Sequence, residues 1–313
     1  MSPLRRLGDR PYLLLTLTSL FWAGNAVVGR AVADSIPPVA LSQIRWTLAL
    51  AVVLPLAWGG LREEFALIRR HFWLLALLAF TGVSAFNVML YWSLHHTTVI
   101  NATLMQSTGP LLIGLWSWLL FREPLTRRQL AGILVSLAGV AIVVSAGDIG
   151  RLAKLTLNIG DIVIIVAIGI YALYSALLRT RPGMSSISFL AVTIAIGAVL
   201  LVPLTVAEQL AGADFAPPTF GAWAAIGYVS LFPSILAYLC FNRGVQLIGA
   251  NRSGPFLHLV PLFGAILAIV FLGERPGIHH GIGALLIVGG VFLASRGSAS
   301  NSRNRVAEEG RRA

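Results

Sequence analysis

Cys240 is the single cysteine in this 313-residue sequence, which excludes an internal disulfide and any multi-cysteine metal cluster. Lysine is as scarce. Lys154 stands alone and no G-x-x-x-x-G-K-[ST] loop surrounds it, so the chain carries no P-loop for nucleotide hydrolysis. Charged residues make up only 11% of the chain, and the 12 acidic side chains avoid the middle of every long apolar run, Asp161 and Glu208 coming closest. A proton relay through a buried carboxylate therefore lacks its residue. There is no H-E-x-x-H, no G-x-S-x-G and no multi-histidine face, so an intramembrane enzyme would have no catalytic constellation and none is expected. The pairs His95-His96 and His279-His280 fall at run ends, where adjacent histidines seldom converge on one ion. Neither a metal nor a cofactor is expected.

Apolar residues are abundant: they make up 57% of the chain, and the mean hydropathy is +0.83. A soluble domain does not have this balance. Ten runs long enough to cross a bilayer can be drawn, at residues 12–33, 38–58, 72–94, 98–121, 126–145, 157–178, 186–208, 221–241, 251–272 and 276–295. They are continuously apolar, not alternating, so helices are expected and barrel strands are not. The net charge of +11 would suit a nucleic-acid binder, but the basic residues sit between the runs and are expected to set orientation, with no nucleic acid as partner. The N-terminus, the even-numbered connections and the tail hold 18 Arg, whereas the other side holds 4 basic residues, Arg30, Arg151, Lys154 and Arg275. Both ends are thus expected in the cytoplasm. Arg5, Arg6 and Arg10 precede a run too long for a signal peptide, which is expected to stay as the first span. The tail, residues 296–313, has no apolar period and is expected to be disordered.

The second half repeats the first. With Pro110 aligned to Pro261 and no gap, Leu111 meets Leu262, Glu123 meets Glu274, Gly132 meets Gly283, Leu134 meets Leu285, Gly139 meets Gly290 and Val140 meets Val291. A fainter echo pairs Phe21-Trp22-Ala23 through Arg30 with Ile170-Tyr171-Ala172 through Arg179. The polar connection at residues 146–156 divides the spans five and five, giving repeats at 12–145 and 157–295 after a cytoplasmic segment at 1–11. An odd number of spans per half makes the second half enter the membrane upside down, and inverted repeats place a solute site at their interface near mid-membrane.

These residues resemble the drug/metabolite transporter superfamily, EamA type. The likeness covers the whole membrane region and is carried by Phe21-Trp22-Ala23-Gly24-Asn25, by Pro37-Pro38 followed by Arg45, and by the blocks from Pro110 to Gly139 and Pro261 to Gly290 with Glu123 and Glu274. Within that family the chain is most similar to the aromatic amino acid exporter (YddG-like) branch. The resemblance implies a ten-helix inverted-repeat exporter of the bacterial inner membrane. Its central cavity would be lined mainly by spans one, three, four, six, eight and nine.

Polar and aromatic groups deep in spans are costly unless they face protein or a wet cavity, so they are the candidates for solute binding. They are Trp22 and Asn25 in span one, with Thr18 and Gly29 on the same face; Ser84, Asn87 and Tyr91 in span three; Tyr171 and Tyr174 in span six; Ser234 and Tyr238 in span eight; and His258 in span nine. Each of these groups could instead be interhelical glue, worth about 1 kcal/mol per hydrogen bond. His258 could bind a carboxylate, carry a proton, or simply bond a neighbouring carbonyl. Arg45 could neutralise an anionic solute or snorkel to the interface, and its peripheral span favours the second. Pro110, Pro233 and Pro261 each remove a backbone donor and are candidate hinges. Glu123 and Glu274, beside Arg122 and Arg275, suit interfacial ion pairs or helix caps. Gly277 with Gly281, and Gly132 with Ser136, are small-residue faces for packing within a monomer or between subunits. Of the tryptophans, Trp22 and Trp92 are the ones expected to matter.

The expected function is export of amino acids, aromatic and neutral, and of related metabolites by alternating access. Coupling is left open between His258, exchange and facilitated diffusion. Another metabolite or drug, or a non-transporting membrane subunit, is the alternative. The expected partners are a small-molecule solute and the lipid bilayer, in a monomer or homodimer.

Overall fold

The computed structural model describes residues 8–32, 36–97, 99–148, 150, 156–213, 219–272 and 277–296. Expectations for Arg5, Arg6, residues 151–155, Glu274, Arg275, Pro276 and the tail after residue 296 lie outside these residues. Among the described residues every regular element is helical. Helix α1 is Pro11–Val32, α2 Pro38–Glu63, α3 Phe72–His96, α4 Asn101–Phe121, α5 Arg127–Val144, α6 Ile159–Thr180, α7 Ser186–Leu210, α8 Phe220–Ile248, α9 Leu259–Leu272 and α10 Ile278–Ser295. A short helix, Phe65–Arg70, lies between α2 and α3.

Eight of these helices are long and apolar enough to cross a membrane, all except α1 and α9. Helix α1 has 22 residues and α9 has 14, the turns before α9 being wound separately as Ala250–Ser253 and the 3-10 segment Gly254–His258. Several helices outrun the apolar runs that suggested them. Helix α8 continues through Asn242, Arg243 and Gln246 to Ile248, because polar side chains do not stop a helix that nothing breaks.

The starts are set by local chemistry. Thr126 and Gln129 form a reciprocal capping box on α5, and Asn158 and Asp161 form one on α6. Ser185 and Thr219 cap α7 and α8 through their hydroxyls.

Helix α1 packs on α8 and α9, α6 on α3 and α4, α2 on α7, and α5 on α10. The α5–α10 contact is backbone against backbone. A Cβ on Gly132 would stand 2.6 Å from the Gly290 carbonyl oxygen, and one on Gly139 2.8 Å from that of Gly283. Residue numbers rise along one helix as they fall along the other, so the two run antiparallel. Gly132 and Ser136 were expected in such a face and lie in it, but Gly281 points into open space and a Cβ on Gly277 would meet its own His279.

Four helices are irregular midway. Helix α3 has a π segment, Phe80–Ala85, and α8 has another, Phe232–Leu236. Helix α4 breaks at Ser107–Thr108 and restarts at Gly109–Phe121 with Pro110 in its first turn. Helix α9 starts after the Gly254–His258 segment with Pro261 near its beginning. A proline fits a first turn because the missing N–H has no partner there anyway. π segments leave backbone groups off the regular ladder and recur at functional sites.

Candidate functional site

Arg45 is the hub of a buried polar network. It is 1% exposed, and its guanidinium donates through Nε to the Ser234 hydroxyl and through Nη1 to Asn87 Oδ1 at 3.1 Å and to the Tyr91 hydroxyl at 2.7 Å. Tyr91 donates in turn to Asn25 Oδ1 at 3.2 Å. Asn87 is oriented by its own donation to the Val83 carbonyl at 2.8 Å, and Ser234 by donation to the Val229 carbonyl at 2.6 Å. These partners come from α1, α3 and α8. At 1.5 Å per residue Arg45 lies about 10 Å from the start of α2, Asn25 about 10 Å from the end of α1 and Asn87 about 14 Å from the end of α3. They therefore meet well below the helix ends, and the arginine does not snorkel.

A cluster of rings adjoins this network. Trp22 lies edge-on to Tyr171 at 5.6 Å and to Tyr238 at 6.0 Å and tilts against Phe241 at 5.3 Å. Tyr171 also meets Phe86 at 4.7 Å and Tyr174 at 5.5 Å, and Tyr238 meets Trp46 at 5.4 Å. Such separations are those of aromatic rings in direct contact. Most polar tips are held: the Trp22 indole donates to the Pro233 carbonyl at 3.2 Å, Tyr238 to the Gly82 carbonyl and Tyr174 to Asn242 Oδ1 at 2.8 Å. Two are not. The Tyr171 hydroxyl and the Trp46 indole N–H are buried with no partner among the described residues. The π segments matter here, since one supplies the Gly82 carbonyl and the other holds Pro233 and Ser234. Gly82 has to be glycine, because a Cβ there would stand 2.6 Å from the Tyr174 ring.

The structure thus gathers eight candidates in one place: Trp22, Asn25, Asn87, Tyr91, Tyr171, Tyr174, Ser234 and Tyr238. Ser84 is elsewhere, donating to the Gly197 carbonyl of α7 at 3.0 Å. His258 is also apart. It is fully buried, with Nδ1 2.5 Å from the Ser136 hydroxyl of α5 and Nε2 2.8 Å from the Ser107 carbonyl at the break in α4. A carbonyl only accepts, so Nε2 carries the hydrogen, and both ring nitrogens are taken by the chain itself. Trp92 stacks on His96 at 3.9 Å near the end of α3. Glu123 pairs with Arg179 at 2.8 Å rather than with Arg122, both side chains about half exposed, and the cap on α5 is Thr126.

Sequence reasoning undervalued Arg45 and missed Trp46, Phe86, Phe241 and Asn242. For Arg45 the signal was present: a lone cation inside a span is a functional candidate whatever the position of the span. For the rings no signal distinguished them from other apolar residues.

No group of three or more metal-ligating side chains occurs among the described residues. The arrangement sets its hydroxyls, Ser234 and Tyr91, against a guanidinium. It can hold a small amphipathic molecule, with one pole against a guanidinium and the other against rings.

Residues 10–145, and again residues 158–296, match the EamA-like transporter family. An uncharacterized transporter of Archaeoglobus fulgidus is 29% identical over 292 residues, covering 92% of this chain and 98% of its own. The transporter YetK of Bacillus subtilis, described as uncharacterized, is 28% identical over 90% of this chain and 86% of its own. A probable terminal-alkyne amino-acid exporter of Streptantibioticus cattleyicolor is 29% identical over 92% of this chain and 94% of its own. One crystal structure, 20% identical, superposes with a TM-score of 0.71 over 90% of this chain and 96% of that one, a likeness of fold.

Proposed function

The chain belongs to the EamA-like transporter family and is a multi-pass membrane transporter, and from that premise we propose that it exports amino acids, aromatic and neutral ones included, with related metabolites. The observation that carries this reading is the juxtaposition of the Arg45 network with the ring cluster, at a depth reached from α1, α2, α3, α6 and α8. The amino-acid exporter among the relatives supports the substrate class.

The mechanism is alternating access in a ten-span, five-plus-five inverted repeat. Support comes from paired contacts: α1 on α8 and α9 matches α6 on α3 and α4 when the first five helices are exchanged for the last five. The antiparallel α5–α10 seam maps onto itself under the same exchange, since Gly132 corresponds to Gly283 and Gly139 to Gly290. Repeats so related rock about a central site. The rings close on one another in this conformation, so passage needs them to part. The irregular turns at Pro110, Pro233 and Pro261 are where α4, α8 and α9 bend to allow it. In this reading the chain sits in the inner membrane, as the family resemblance implies, and the arginine distribution supports cytoplasmic termini.

The test is reconstitution of the purified chain alone in liposomes with a panel of labelled amino acids, nucleosides and drugs. Saturable uptake of neutral and aromatic amino acids is expected, and a fall when Trp22 or Tyr91 is replaced by alanine in protein that still folds. No movement of any solute would return the chain to the role of a subunit, and movement of nucleosides or drugs alone would replace the substrate class.

A further inference from the structure

We infer that Arg45 is the anion-recognition group of the transport site and that a carboxylate beside an apolar body, not an ammonium group, is what the site selects. This rests on the exporter reading above and narrows its substrate class.

The first observation is an imbalance of charge. An arginine stays protonated in any protein environment. Arg45 is 1% exposed, yet its partners Ser234, Asn87 and Tyr91 are all neutral. Among the described residues no carboxylate pairs with it. Burying a guanidinium without an anion is expensive, and a charge left so is the sign of a missing partner. The two acidic side chains that come closest to the middle of an apolar run in the sequence are already committed. Asp161, fully buried, accepts from Thr97, from Asn101 at 2.8 Å and from the Asn158 amide at 2.9 Å. Glu208 accepts from the Val39 and Ala40 amides at 3.0 and 2.8 Å and so caps the start of α2.

The second observation is independent of the first. The Tyr171 hydroxyl and the Trp46 indole N–H are buried donors with no acceptor among the described residues. Both belong to the ring cluster, where Trp46 also lies 4.8 Å under the Arg45 guanidinium. A buried cation without a carboxylate partner, and two unsatisfied buried donors in the adjoining ring cluster, suit an acceptor-rich anion whose apolar part enters when the rings part. Among the described residues no acidic side chain is paired with a member of the cluster to receive an ammonium. One guanidinium, planar and forked, matches one carboxylate, and among the described residues no second cation joins the network for a dianionic phosphate.

The experiment uses the full chain in detergent and in liposomes with matched probes on phenyl, isobutyl and straight alkyl bodies: the amino acid, its amide, the acid lacking the amino group, the amine lacking the carboxylate, and the phosphate monoester. Binding is read by tryptophan fluorescence and transport by competition. The amino acid and the deaminated acid should bind alike, and the amide, amine and phosphate about tenfold or more weaker. Arg45→Lys should keep the order with lower affinity, while Arg45→Gln should bring acid and amide to within about threefold. Should Arg45→Gln fail to fold, the wild-type order and Arg45→Lys decide. An amide that binds as well as its acid, or an Arg45→Gln protein that keeps the preference, overturns the inference while leaving the exporter reading intact. A chain that neither binds nor moves any member of the panel overturns both.

Discussion

His258 and Arg45 are both ionisable groups buried inside the helical bundle, yet their surroundings assign them opposite roles. The imidazole has each nitrogen bonded to the chain, to Ser136 and to Ser107, and so ties α5, the break in α4 and the turns before α9 together. His258→Ala leaves the Ser107 carbonyl without its donor, at a cost of about 1–3 kcal/mol. A lower unfolding temperature in detergent checks this, and an unchanged one would show that the bonds do not matter to the fold. The guanidinium of Arg45, by contrast, is left without an anion. Side-chain roles were only half legible in the sequence for a physical reason. The list of deep polar residues follows from the cost of placing them in lipid, and eight of the ten binding candidates converge. Which of them have their hydrogen bonds satisfied by neighbours depends on distant contacts, such as His258 with Ser107, that no local pattern encodes. Ser84, bonded to Gly197 of α7, was indistinguishable from Asn87 by helical spacing alone.

At the scale of elements, the seam between α5 and α10 is where packing is least forgiving. A Cβ on Gly290 would lie 2.5 Å from the Gly132 carbonyl oxygen, whereas one on Gly281 meets nothing within 4 Å. Gly290→Ala is therefore expected to destabilise by about 1–3 kcal/mol. Gly281→Ala should be neutral or stabilising, since alanine favours a helix over glycine by about 1 kcal/mol. Thermal unfolding of the two variants side by side checks the pair, and equal effects would contradict the seam. The prolines make a different prediction. Pro110 starts a helical segment, where a donor is not needed, so Pro110→Ala and Pro261→Ala should change stability by less than about 1 kcal/mol. Transport by the folded variants should nevertheless fall severalfold if these turns bend, and full transport would remove the hinge role. Element positions were read well from hydrophobic runs. Their ends were read less evenly: Thr126, where the fifth span was expected to begin, does cap α5, whereas the extension of α8 from Asn242 to Ile248 is set by hydrogen bonding rather than by apolarity.

For the whole molecule, the sequence repeat and the packing lead to one picture. Gly132 and Gly139 recur as Gly283 and Gly290, and those four residues meet one another across an antiparallel contact. The helices that flank the Arg45 network and the rings are drawn from both halves, so relative motion of the halves acts directly on the site. The proposed orientation rests on the arginines alone, because positive charge favours the cytoplasmic side of the membrane. The contact of the rings in this conformation was not legible, because it depends on side-chain packing between halves.

The most direct test of alternating access is accessibility of the site from each side of the bilayer. A single cysteine is placed at Ser234, with Cys240 replaced by alanine, in liposomes of known orientation. A membrane-impermeant thiol reagent should label it from either face, and solute should slow labelling from both. Labelling from one face only, whatever solute is present, would contradict the account.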